Sequence, residues 1–238
     1  MRERRRRFIV SLVVASLLFG SAALTALHDQ PAPHQPSTQS SSAQPAGNSP
    51  ADKALGTLLI KGRAPKTGYS RDQFGSGWKD LGDCDVRNHV LQRDMTDVQT
   101  SSTTDCTVQH GTLQDPYTGR TIQFTRGSGT SSMVQIDHVV ALSDAWQTGA
   151  QQLAPDVRAQ LANDPLELLA VDGPANQAKS DGDAATWLPS NKSFRCAYVA
   201  RQVAVKVKYQ LWMTSGERDA IRGVLSSCPG QMLPSVPQ

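Results

Sequence analysis

The sequence predicts an α+β domain over residues 53–238, stapled by two disulfides. Three observations predict it. Two apolar runs of strand length, Ile136-Asp137-His138-Val139-Val140 and Leu166–Val171, are each bounded by turn or helix signals. The second run leads through the turn Asp172-Gly173-Pro174 into a helix start carrying Asn176 and Lys179. Further on, Val199, Val203, Val207 and Leu211 recur every four residues, the mark of an amphipathic helix over Cys196–Trp212.

Taken in order, the chain opens with Arg2, Arg4, Arg5, Arg6 and Arg7 ahead of an uncharged run from Phe8 to Leu27. A basic start and an apolar run read as a secretory signal over 1–27. The run is also just long enough to span a bilayer. The alternative is therefore an anchor by residues 8–27 to the outer face of the cytoplasmic membrane, the only membrane association expected. Residues 28–52 are rich in Pro, Ser and Gln and too poor in large apolar side chains to offset their ordering entropy, so they read as a disordered linker.

The domain that follows has 19 Lys+Arg against 18 Asp+Glu, so bulk charge does not announce a nucleic-acid binder. Phosphate attraction must then come from local clusters. Arg71, Arg87 and Arg93 are candidates, with bracing of loops through Asp80, Asp85 and Asp94 as the equal alternative. Arg195 and Lys206 lie on one flank of the predicted helix and could reach a phosphate, whereas Arg201 lies opposite its apolar stripe.

Cys84, Cys106, Cys196 and Cys228 all fall in this domain, and no Cys-x-x-Cys occurs. An even count in an exported chain favours two disulfides over a zinc ribbon. Cys84–Cys106 would close a local loop. Gly111–Arg126 reads as a hairpin around Asp115-Pro116-Tyr117-Thr118-Gly119. Ala141–Thr148 and Pro155–Leu161 read as helices inserted between the two apolar strands. Thr214-Ser215-Gly216-Glu217 is a capping box for a last helix. An antiparallel pair of the last two helices would bring Cys196 beside Cys228.

A strand bearing Asp-His, a second strand, and a helix bearing an oxygen ligand form the ββα-metal layout. On these residues the chain resembles the HNH (His-Me finger) endonucleases, and more narrowly the secreted relatives of the C-terminal nuclease domain of GmrSD-type restriction enzymes. The resemblance implies His138 as general base and Asp137 and Asn176 as ligands of one hard divalent cation, Mg²⁺ or Mn²⁺. Oxygen ligands suit such an ion, and a neutral imidazole suits the base. Asn176 and Lys179 share a helix face, so Lys179 is expected at the phosphate as a second catalytic residue. The family's central Asn falls, by spacing, on Glu167, and the nearest Asn is Asn163. Either is the candidate orienting residue. The function implied is phosphodiester hydrolysis of nucleic acid, with DNA favoured over RNA, by an exported enzyme. The alternative is a non-catalytic extracellular nucleic-acid-binding or surface interaction module on the same scaffold.

Overall fold

The computed structural model describes residues 49–103 and 106–234; the expected signal or anchor and most of the expected linker lie outside them. The elements in order are α1 (Pro50–Leu55), β1 (Asp80–Leu81), β2 (Cys84–Asp85), α2 (Val86–Asp94), β3 (Met95–Thr100), β4 (Val108–Gln114) and β5 (Thr121–Thr125). There follow β6 (Val134–His138), α3 (Leu142–Gln147), α4 (Pro155–Ala162), β7 (Leu168–Asp172), α5 (Gly173–Lys179), α6 (Arg195–Lys208) and α7 (Ser215–Leu225). The fold is mixed α+β, with small antiparallel sheets ordered β1-β2, β3-β4-β5 and β6-β7. Helix α1 starts ahead of residue 53: Ser49 caps it and Ala51 is buried, so the ordered body begins inside the stretch read as linker. Among the described residues, no helix is long and apolar enough to cross a membrane.

Strand β7 sits at the centre. Its alternation sends Leu168 and Ala170 into a core shared with α2, β4, β5 and β6. Leu169 and Val171 go into a second core built by α6 and α7. Burial on both faces explains why this strand reads as a continuous apolar run. It pairs antiparallel with β6 in a register that sets Asp137 opposite Leu169 and His138 opposite Leu168. Beyond β7, Asp172 caps α5 by accepting from the Ala175 N–H. Gly173 permits that entry, because a Cβ there would lie 2.1 Å from the Ser132 carbonyl oxygen.

The predicted hairpin is present as β4–β5, paired from His110↔Thr125 to Gln114↔Thr121. The helices expected between the motif strands are α3 and α4. A third core joins them through Leu142, Ala145, Trp146 and Leu161 to Phe74. Thr214 caps α7, its hydroxyl accepting from the Glu217 N–H.

One expectation for α6 is corrected. Val199 and Val203 are fully buried, but Val207 is 39% exposed. At 3.6 residues per turn, a stripe spaced by four drifts about 40° per step off one helix face. Lys206, seven residues after Val199, therefore lies on the buried face and is 0% exposed. Arg201 is not simply solvated either, since its guanidinium donates to the Leu166 carbonyl at 2.9 Å.

Both expected disulfides, Cys84–Cys106 and Cys196–Cys228, are formed. The second ties the start of α6 to the end of α7 across a separation of 32 residues. In the chain-entropy model a loop of that length contributes about 3–4 kcal/mol. Replacing both Cys196 and Cys228 by Ala should lower unfolding free energy by that order in urea titrations. An unchanged midpoint would refute it.

Candidate active site

The alternation of β6 turns Gln135 and Asp137 to one face and Ile136 and His138 to the other. Asp137 thus faces α5, and His138 faces Trp78 and the end of α4. Both residues, together with Asn176, border a cavity of about 350 Å³ whose rim also includes Arg71, Ser143 and Asp181. The structure therefore brings together the three residues on which the metal-finger expectation rests.

His138 is buried, and its Nε2 lies 3.0 Å from the Ala162 carbonyl oxygen. A carbonyl can only accept, so Nε2 carries the proton and Nδ1 is the basic nitrogen. Burial pushes the His138 pKa down to about 3, and the nearby Arg71 and Lys179 charges act in the same direction. The ring is neutral at neutral pH, the state a general base requires. Trp78 stacks on it with planes 8° apart.

Asp137 is held from behind. Its Oδ1 accepts from Lys179 Nζ at 2.9 Å, and its Oδ2 accepts from the Tyr117 hydroxyl in a short hydrogen bond. Burial raises the Asp137 pKa, against the opposing effects of Lys179 and Tyr117. The Lys179 ammonium also donates to the His138 carbonyl at 2.8 Å, and the side chain is 0% exposed. This corrects the expectation of a phosphate contact: Lys179 faces inward and fixes the Asp-His pair. Asn176 donates from Nδ2 to Gln135 Oε1 at 2.9 Å, which leaves its Oδ1 for a cation. Past α5, Ser180 has a positive φ of 51°, and Asp181 follows it to the cavity rim.

Neither expected orienting residue hydrogen-bonds the His138 ring. Glu167, 0% exposed, accepts through Oε2 from the Val140 N–H at 3.1 Å and so braces the loop after the histidine. Burial raises its pKa well above the ordinary carboxyl range. Asn163 accepts from the Lys79 N–H at 2.9 Å, next to the Trp78 that stacks on His138. The backbone carbonyl of Ala162 performs the orienting role assigned to a side chain.

Of the five expected phosphate contacts, Arg71 alone borders the cavity. Arg87 donates to the Val134 carbonyl at 3.3 Å. Arg93 is bound to Asp94 and to the Pro165 and Leu168 carbonyls, and Arg195 to the Pro189 carbonyl. These three brace backbone. Lys206 is corrected outright, since its buried ammonium pairs with Asp144 at 3.1 Å and Glu217 at 2.8 Å. Asp144, Asp183 and Glu217 form a buried acidic triad whose ligand atoms lie within 4.8 Å of one another and could hold a metal. Lys206 lies against two of its members, and Arg63 pairs with Asp144 and Asp183 at 2.8 Å each.

Tyr117 went unread in the sequence, where Asp-Pro-Tyr-Thr-Gly signals only a turn. Asp115 holds that turn. One of its oxygens accepts from the Tyr117 and Asp172 N–H groups, the other from the Thr118 N–H and hydroxyl. A single carboxylate thus ties the β4–β5 turn to the entry of α5 and delivers the Tyr117 hydroxyl to Asp137.

The donors at the cavity fit a hard divalent cation: a carboxylate and an amide oxygen, with a second carboxylate and a hydroxyl at the rim. A carboxylate offers about four lone-pair sites, so Asp137 can serve a cation as well as its two present donors.

Comparison with known proteins places the chain in a family. The family described as GmrSD restriction endonucleases, C-terminal domain, matches residues 85–224. An uncharacterized secreted protein of Arthroderma benhamiae is 37% identical over 182 residues, covering 76% of this chain and 85% of the fungal protein. No solved structure was found to match. With the match spanning more than half its length, the chain belongs to the GmrSD restriction endonuclease C-terminal domain family, an HNH-like family.

Proposed function

We propose that the protein is an exported, metal-dependent endonuclease that hydrolyses phosphodiester bonds through a ββα-metal finger made of β6, β7 and α5. The observation that carries this reading is the shared cavity of Asp137, His138 and Asn176. His138 Nδ1 takes a proton from the attacking water, while the Nε2 bond to Ala162 holds the ring in that tautomer. Asp137 and Asn176 Oδ1 would hold the cation, Mg²⁺ or Mn²⁺, which when bound would stabilise charge growing on the phosphate and the leaving oxygen. Lys179 and Tyr117 keep the Asp137 carboxylate in one orientation. Arg71, at the rim, is the phosphate contact of the set. Export is supported by two disulfides, which persist in oxidising compartments, and by the secreted fungal relative.

The test is nicking of supercoiled plasmid, and cleavage of single-stranded DNA and of RNA, with Mg²⁺ or Mn²⁺ and with excess chelator. Cleavage should require the ion, and Asp137→Ala should abolish it. The same variant should also bind Mn²⁺ more weakly by spin-resonance titration. Full cleavage in chelator would sink the reading.

A further inference from the structure

A second cavity, of about 290 Å³, adjoins the first and shares Arg71 and His138 with it. Its outer wall is the segment 71–78, which precedes the residues matched by the family. Asp72, Gly75 and Gly77 are exposed there, and Trp78 is half-buried. The wall is firmly held. Phe74 is 1% exposed in the core of α3 and α4. Arg158 donates to the Gln73 carbonyl at 2.7 Å, and the Lys79 N–H donates to Asn163. Gly75 and Gly77, on either side of Ser76, take φ values of 101° and 123°, which side chains rarely adopt.

Resting on the nuclease reading above, we propose that this cavity is a subsite for the base of one unpaired nucleotide beside the scissile phosphate. Three features point there. The Trp78 and His138 rings are parallel with centroids 5.6 Å apart, an offset stack that leaves part of the indole face uncovered. An aromatic platform beside a cation is how proteins hold single-stranded nucleic acid, and Arg71 supplies the cation at the junction of the two cavities. The volume lies at the small end of ligand pockets and takes one nucleoside-sized group, not a base pair. A base reaching it must leave its stack, which costs least in a single strand or at an unpaired position. Asp72 on the wall offers a carboxylate to the N–H groups of a base edge. The substrate class is therefore single-stranded nucleic acid, or duplex with an unpaired nucleotide at the cut.

The experiment uses short single strands with one cleavable phosphodiester, the remaining linkages being methylphosphonates. In matched strands, the base on one or the other side of that bond is replaced by hydrogen, and a duplex of the same sequence is the third substrate. With Mg²⁺ or Mn²⁺, the wild-type kcat/KM should be about tenfold or more higher on the intact strand than on the duplex and on one of the base-less strands. Trp78→Leu should bring the ratio of intact to base-less strand towards one, and Trp78→Phe should restore it. Equal rates of the wild type on all strands, or an undiminished ratio in Trp78→Leu, would overturn the subsite while leaving the nuclease reading intact. If no substrate is cut with either ion, the nuclease reading fails and the subsite fails with it.

Discussion

Replacing His138 by Ala is expected to lower the cleavage rate by a factor of about 10²–10⁴, the usual worth of a positioned general base. Affinity for nucleic acid should change little, because it arises mainly from Lys and Arg contacts to phosphate. The prediction is specific to the ring nitrogen Nδ1, since Nε2 is engaged with Ala162. Rates and binding constants for wild type and variant on one substrate decide it. A variant that cuts at the wild-type rate removes His138 from the chemistry. Binding by both with cleavage by neither favours the binding module.

The second large effect concerns stability. Lys206→Met should destabilise the fold by about 3–5 kcal/mol, because it leaves Asp144 and Glu217 buried without the ammonium between them. Burial alone would lower the Lys206 pKa, but the two carboxylates outweigh it and raise it. Burial also raises Glu217 from 4.5 to about 7, although Lys206 opposes the shift. An acid whose folded-state pKa is raised contributes stability below its unfolded value and loses it as pH climbs through the folded one. The Glu217 contribution should therefore fade between about pH 4.5 and pH 7. Glu217→Gln should flatten the dependence of unfolding free energy on pH across that window. Urea titrations of the three proteins at several pH values provide the check, and parallel pH profiles for wild type and Glu217→Gln would refute it.

The parts of the site that were legible in the sequence are local ones. Asp137 and His138 are adjacent and Asn176 follows a capped turn, so their grouping at one cavity can be read from short-range chemistry. The disulfides were legible for a related reason: one closes a short loop, and the other joins the ends of two helices whose periodicity is plain. Lys206 was misread because a four-residue stripe was followed along a 3.6-residue helix. Residues that meet only through the tertiary fold left no such trace. Tyr117 reaches Asp137 from a turn that local chemistry fully accounts for. Trp78 reaches His138 from a segment without periodicity, and Lys179 differs from a solvent-facing lysine only in what packs over it. The orienting group for His138 could not be read at all, since it is a main-chain oxygen that any residue at position 162 would supply.

The Asp115 carboxylate carries a consequence for how this finger can be used or inherited. Its hydrogen bonds to Tyr117, Thr118 and Asp172 make the β4–β5 turn a strut of the β6–β7 strand pair. The finger is thus not a portable cassette. A graft of residues 134–179 into another protein would carry Asp137, His138 and Asn176, yet leave behind the hydroxyl that steadies Asp137 and the anchor at the head of α5. Recombination that preserves the motif must move the hairpin with it.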